Sequence, residues 1–331
     1  MEEKTSKTHE TIKLSMKDRR IIRELNRNSR QSFSEIGKKV GLPKNVVNYR
    51  VKKLIDNGVI TLFCTTLNRS KMGYMYCRLF LKFQHFSEQT ENELISHISR
   101  LKNIYWVASL DGSFDFCIIF LAKTMKHVDE IYESIIYRFD ENITDRELSM
   151  APRLYYLPYN YLYEKMEYKH GEIRPEDEVI HLDKKDYELI NLIKENSRMP
   201  MVELMEKIGM SPQMIRNRIK NLVKKNIITG FNIRIDHTKF KLHHFHTFLK
   251  LTNMEMETEK EFISFLCSKR PITHIVKGLG RWDLEFESVF LSHFELHDFL
   301  KDLKNRFPKN ISKYDSVLIY KIYQINTVKY E

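Results

Sequence analysis

The sequence holds little glycine or proline, 10 and 8 of 331 residues, which leaves small scope for long flexible linkers. Its four cysteines, Cys64, Cys77, Cys117 and Cys267, show no Cys-x-x-Cys spacing. They read as reduced, half-buried thiols of a cytoplasmic protein. Long apolar runs are missing too. The longest, Phe116-Cys-Ile-Ile-Phe-Leu-Ala122, is far below the roughly 20 residues of a membrane-spanning helix. The opening Met1-Glu-Glu-Lys-Thr-Ser-Lys is polar, which predicts a disordered tail over 1–13 and no signal peptide. No serine, cysteine or carboxylate constellation has catalytic spacing. The expectation is a protein that is no enzyme and holds neither cofactor nor metal.

What is present is globular composition, 42% hydrophobic and 30% charged, in a length that calls for two or more domains. The net charge of +11 is localised. Residues 15–60 carry 12 Lys and Arg against 4 Asp and Glu, and residues 182–230 carry 10 against 6. These +8 and +4 segments leave −1 for the rest of the chain. An excess confined to two short segments is the footprint expected for a polyanion.

The first basic segment contains Ser34-Glu-Ile-Gly-Lys-Lys-Val-Gly41-Leu-Pro43, in which Ile36 and Val40 share a helical face before the break. A second period follows in Val47, Val51, Leu54 and Ile55. The face opposite carries Lys44, Asn45, Asn48, Tyr49, Lys52 and Lys53. Two short helices around a glycine turn, the second basic outside, describe a helix-turn-helix with donors for base edges and cations for phosphates. Taken singly, the same stretch also describes a helical hairpin with a solvated face.

An internal repeat adds weight to the first reading. At an offset of 168, Leu14 meets Leu182, Asp18 meets Asp186, and Asn28-Ser29-Arg30 meets Asn196-Ser197-Arg198. Gly41 meets Gly209, Arg50 meets Arg218, Gly112 meets Gly280 and Asp115 meets Asp283. The chain is two versions of one unit with no net insertion. In each, three helices and the strand of a wing (Val59–Phe63 in the first) precede elements in the order βαββαβ, which is ferredoxin-like. The fold class expected is α+β, in two tandem units. The boundaries are 14–63 for the first winged helix-turn-helix, 70–157 for the first ferredoxin-like domain, 158–181 for a linker, 182–231 for the second head and 240–331 for the second ferredoxin-like domain. The two ferredoxin-like domains should associate inside the chain, sheet face to sheet face. The tyrosine-rich Tyr155–Tyr163 invites base stacking, but its start matches the C-terminal Ile322-Tyr-Gln-Ile, so it reads as a last strand entering the linker.

This order resembles the leucine-responsive/asparagine regulator (Lrp/AsnC) family. The resemblance rests on Leu14, Asp18, Ile22, Ser29-Arg30, Gly41-Leu42, Arg50-Val-Lys-Lys-Leu54 and Gly58-Val-Ile60, on their counterparts from Leu182 to Ile228, and on the turns Gly112-Ser-Phe-Asp115 and Gly280-Arg-Trp-Asp283. It implies a transcription regulator that binds double-stranded DNA and responds to an amino acid or other small metabolite. The metabolite would sit between effector domains at Gly112, Phe114, Asp115, Gly280, Trp282 and Asp283. Two units in one chain imply a covalent pseudo-dimer, with room for further assembly of whole chains. One departure is Pro43, which stands where the family has a capping serine and predicts a different start for that helix; the second copy keeps Ser211, followed by Pro212.

The two recognition helices differ. The first offers Lys44, Asn45, Asn48 and Tyr49, and the second Gln213, Arg216, Asn217 and Lys220, with Lys52, Lys53, Lys224 and Lys225 facing phosphates. Arg50 and Arg218 serve either DNA or the fold. Histidines gather in the second copy: His237, His243, His244, His246, His274, His293 and His297. His293 and His297 are spaced as a metal pair, but no third ligand follows from spacing. Some family relatives are sirohaem decarboxylases with histidines in this domain. That tetrapyrrole-binding alternative does not need two basic recognition helices, nor does a coregulator that binds only proteins.

Overall fold

The computed structural model describes residues 12–331 except 85, 169, 176, 177 and 324; most of the expected N-terminal tail lies outside the described residues. The first head is α1 (Met16–Arg27), α2 (Phe33–Val40) and α3 (Lys44–Asp56). Ser15 and Ser32 each accept from the backbone of the third helical residue, while Asp18 and Glu35 reach back, so both helices start on capping boxes. Gly41 ends α2 at φ +70°, a conformation that costs glycine little. Ile21, Ile22, Leu25, Ile36, Val47 and Leu54 close the core of this head. Pro43 gives α3 no side-chain cap. Yet α3 begins at the position matching the start of α8 in the second copy, so Pro43 removes a hydrogen bond without moving the helix, contrary to the expectation of a different start.

From the head, β1 (Ile60–Leu67) leads into β2 (Met75–Phe83), α4 (Glu88–Ile98), β3 (Ile104–Asp111), β4 (Phe116–Ala122), α5 (Met125–Phe139) and β5 (Ile143–Tyr156). A short β6 (Gly171–Ile173) pairs with the end of β5. The second copy runs α6 (Lys184–Ile193), α7 (Met201–Ile208), α8 (Pro212–Lys224), β7 (Ile228–Ile235), β8 (His243–Leu251), α9 (Met256–Cys267), β9 (Ile272–Leu279), β10 (Leu284–Phe290), α10 (His293–Arg306) and β11 (Ile311–Tyr323).

Three features go beyond the sequence reading. The wing strand of each head does not fold back on that head: β1 pairs antiparallel with β7, from Ile60 opposite Ile235 to Leu67 opposite Ile228. The wings form one ribbon between the heads. Next, the segment expected as a linker is packed. Leu162 and Tyr163 enter the core of the first head, and Asn160 exchanges two hydrogen bonds with the backbone of Glu167. Finally, the two sheets join at their edges as well as their faces. The first half of β5 pairs with β2 and its second half with β9; the first half of β11 pairs with β8 and its second half with β3. The strands close into a ring, β2-β4-β3-β11-β8-β10-β9-β5, with β6 beside β5.

Closure leaves few open edges and gives each unit a strand of the other. Helices α4 and α5 cover the first half of the ring, and α9 and α10 the second. Inside lie Phe80, Phe114, Phe248, Trp282, Val317 and Ile319 from both units. At ~1.5–3 kcal/mol for each large apolar side chain buried, this shared core favours the joined state strongly. The cysteines are free thiols. Among the described residues no helix is long and apolar enough to cross a membrane.

Candidate nucleic-acid interface

The heads meet on the residues that made the repeat legible. The hydroxyls of Ser29 and Ser197, at equivalent positions, are 2.6 Å apart and fully buried. Arg30 Nη1 donates to the Ser197 carbonyl at 2.5 Å; Arg198 Nη1 donates to the carbonyls of Ser29 and Gln31. The backbone repeats the symmetry: Ser29 N donates to Phe231 O at 2.7 Å, and Ser197 N to Phe63 O at 2.8 Å. With the β1–β7 ribbon, these bonds fix the heads to one another about a pseudo-two-fold axis. Two recognition helices are thereby held as one unit, the arrangement that two half-sites on a duplex require.

On α3, Val47, Val51 and Leu54 face inward, and Lys44, Asn45, Asn48, Tyr49, Lys52 and Lys53 are exposed. On α8, Ile215 and Leu222 face inward, and Gln213, Arg216, Asn217, Lys220, Lys224 and Lys225 are exposed. Tyr49 is 66% exposed, so its ring and hydroxyl are open on this face. Gln213 Nε2 donates to Asn217 Oδ1 at 3.0 Å, one turn on, so the two amides are already oriented together.

Arg50, Arg218 and Ser211 have partners within their own heads. Arg50 Nη1 donates to Asp18 at 2.8 Å, and Arg218 Nη1 donates to Asp186 and Asp183, each at 2.7 Å. Both arginines brace the recognition helix on the first helix of the head. Burial raises Asp18 and Asp183, but Ser15 with Arg50, and the Asp186 amide with Arg218, outweigh it and hold the two carboxyls below their ordinary value. The third is Ser211, whose hydroxyl accepts from Met214 N at 3.3 Å as the cap of α8.

The glycine turns lie at the seam between the units. Phe114 and Trp282 are buried between the sheets. Asp115 accepts from Phe83 N at 2.7 Å and from Lys82; Asp283 accepts from Leu251 N at 2.7 Å and from Lys250. Each aspartate thus pins the end of a neighbouring strand in its own unit. Gly112, at φ +149°, lies so close to β11 that a Cβ would stand 2.7 Å from Val317; at Gly280 it would stand 2.6 Å from Glu147. Arg281 completes that docking by pairing with Asp145.

Sequence reasoning missed a buried polar chain inside the ring. Arg78 Nη2 donates to Glu285 Oε1 at 2.9 Å and to Ser149 Oγ at 2.9 Å, and Arg78 Nη1 to Glu285 Oε2. His246 Nε2 lies 2.8 Å from Glu285, while His244 and His274 lie 3.0 and 3.3 Å from Glu287. The signal was available at the repeat offset: Glu285 stands where the first copy has Cys117, and His246 where it has Arg78.

Comparison with known proteins agrees with this architecture. A model of the winged helix-turn-helix DNA-binding family matches twice, at residues 15–61 and 182–229. An uncharacterised HTH-type transcriptional regulator of Pyrococcus horikoshii is 28% identical over 115 residues, 34% of this chain and 77% of that protein. The HTH-type transcriptional regulator Ptr1 of Methanocaldococcus jannaschii is 28% identical over 120 residues, 36% of this chain and 80% of its own. In fold, the siroheme decarboxylase NirDL is similar over 95% of this chain and 94% of its own, with a TM-score of 0.65 at 10% identity. With its two matched heads, each followed by a βαββαβ domain, the chain carries two winged helix-turn-helix DNA-binding units in one polypeptide and is similar to HTH-type transcriptional regulators.

Proposed function

We propose that the chain is a sequence-specific, double-stranded DNA-binding transcription regulator that reads two half-sites as a single covalent pseudo-dimer. The observation that carries this is the fixed pair of exposed, basic recognition helices, joined through Ser29, Ser197 and the β1–β7 ribbon. Lys44, Asn45, Asn48 and Tyr49 face bases from one head, and Gln213, Arg216, Asn217 and Lys220 from the other. Lys52, Lys53, Lys224 and Lys225 take the phosphates. The cytoplasm is the location that belongs with this reading.

Salt dependence tests this. Each phosphate contact releases counterions and adds about one unit to the slope of log affinity against log salt. The double change Lys52→Ala/Lys53→Ala is expected to reduce the slope by up to about two units and to weaken all duplexes alike. A changed sequence preference at an unchanged slope would refute the assignment.

The metabolite site belongs in this proposal at the turns of Gly112 and Gly280. Their support is position: each is exposed, backed by Phe114 or Trp282, and packed on a strand of the other unit. A small molecule there would touch both units and bias how they sit together.

The fold shared with a siroheme decarboxylase favours a second reading, a tetrapyrrole enzyme, with histidines of the second copy as its candidates. Against it, His244, His246 and His274 are already engaged by Glu285 and Glu287. Titration of the protein with haem precursors is expected to give neither a Soret-type change nor turnover. Stoichiometric binding that depends on His243, His246 or His274 would establish the second reading.

A further inference from the structure

Arg69 is a buried cation with an uncommon environment. It is 5% exposed, and no carboxylate pairs with it among the described residues. Instead it sits among tyrosines. Its Nε donates to Tyr330 Oη at 2.6 Å and its Nη1 to Tyr76 Oη at 2.5 Å. The guanidinium lies 4.3 Å from the centroid of the Tyr105 ring and 5.6 Å from that of Tyr76. Buried charges are ordinarily matched by an opposite charge, because desolvation is costly. Phenols and ring faces offset that cost only in part.

One wall of this cage comes from the chain beyond the last strand. Tyr330 belongs to the segment 326–331, which follows the last strand and crosses from the first ferredoxin-like domain to the second head. Asn191 on α6 holds both backbone groups of Tyr330, at 2.8 and 3.0 Å. Lys194 donates to Val328 O, and Lys123 Nζ to Glu331 O at 2.5 Å. The ring of Tyr330 stands edge-on to Tyr74, centroids 5.6 Å apart, with its hydroxyl on Arg69. The slot therefore takes an aromatic ring whose far end meets a guanidinium.

The other half of the molecule lacks this feature. At the repeat offset Arg69 corresponds to His237 and Tyr76 to His244. Burial pushes His237 well below its ordinary value, which keeps it neutral, and the Tyr161 hydroxyl lies 2.5 Å from its Nδ1. Duplication has left a cation on one side only.

We propose that Arg69 with Tyr74, Tyr76 and Tyr105 forms a binding site for a small aromatic carboxylate, and that Tyr330 is its built-in occupant. A carboxylate takes a guanidinium by two parallel bonds between opposite charges, whereas the phenol it replaces accepts a single bond and carries no charge. Its entry displaces Tyr330 and frees segment 326–331 from Asn191 and Lys194, so occupancy is transmitted to the second head. The site is separate from the glycine turns and stands independently of DNA binding.

The test is calorimetric titration of the full chain with benzoate, with acetate and inorganic phosphate in parallel. Saturable one-to-one benzoate binding is expected, with the other two anions at least about tenfold weaker. Tyr330→Ala removes the competitor and should bind benzoate about tenfold more tightly. Arg69→Met should abolish binding. If that variant fails to fold, Arg69→Lys, which keeps the charge but loses the fork, should weaken binding at least about fivefold. Tryptic cleavage after Lys329 should accelerate when benzoate is present. No saturable binding to Tyr330→Ala, binding indifferent to Arg69→Lys, or equal binding of acetate or phosphate would overturn the site. An unchanged cleavage rate at saturation would overturn the displacement.

Discussion

Replacing Glu285 by alanine is expected to destabilise the protein by about 3–5 kcal/mol, the usual cost of leaving a buried charge without its partner. Glu285 is fully buried, and Arg78 is 2% exposed. They come from different units, Arg78 on β2 and Glu285 on β10, so the pair spans the interior of the ring. Removing the carboxylate strands the guanidinium with Ser149 alone. The double change Arg78→Met/Glu285→Leu removes both charges, and should cost far less than Glu285→Ala. Urea unfolding of the three proteins measures both effects; equal losses in the single and double variants would show that packing, not charge, is responsible.

Acid should expose the same pair. Burial raises Glu285, but Arg78 and His246 outweigh it and hold the carboxyl below its ordinary value. For Glu287, burial is likewise outweighed by His274 and His244, which hold it well below. A carboxyl depressed in the folded state contributes stability that is fully present above its unfolded value, about 4.3, and is lost as pH falls through the folded value. The protein should therefore lose stability steeply below about pH 4. Glu285→Gln, which has nothing to titrate there, should fall less steeply.

Much of this molecule was legible in its sequence because the deciding signals are local. Ser15 with Asp18 and Ser32 with Glu35 announce helix starts, Gly41 and Gly209 announce stops, and the inward residues of α3 recur at helical spacing. The repeat gave the tandem plan. Its meaning at Asn28-Ser29-Arg30 was not legible, since a self-contact across a pseudo-dyad leaves no trace in local periodicity. Strand partners were hidden for a related reason. Val59–Phe63 has the composition of a strand, but composition does not say whether its hydrogen bonds go to its own head or to β7. Nor does it say that β5 and β11 change partners halfway along. Arg50 shows the limit for single residues: its charge suits DNA, and only the position of Asp18 turns it inward. Glu285 and Arg69 were within reach, because each is a charge at a position where the other copy has none of that kind.

The same inequality of copies governs the interface, where Arg216→Ala is expected to relax base preference in one half of the operator only. A homodimer presents identical helices to its two half-sites, so its operator tends toward a palindrome. Here Asn48 and Tyr49 stand where the other head has Arg216 and Asn217, and all four are exposed on helices held in one frame. An arginine favours guanine through paired bonds to its major-groove edge, and losing one such contact costs roughly 1–3 kcal/mol, or about 5- to 150-fold in affinity for the preferred half-site. Because one chain carries both heads, the second binds at an effective concentration set by the linkage rather than by protein in solution. Occupancy should then follow a single-chain isotherm. The measurement is binding to operators in which either half is scrambled, for the parent and for Arg216→Ala. The variant should lose discrimination when its own half is scrambled and retain it for the other half. Equal relaxation of both halves, or a perfect palindrome as the best site, would mean that two whole chains present matching heads.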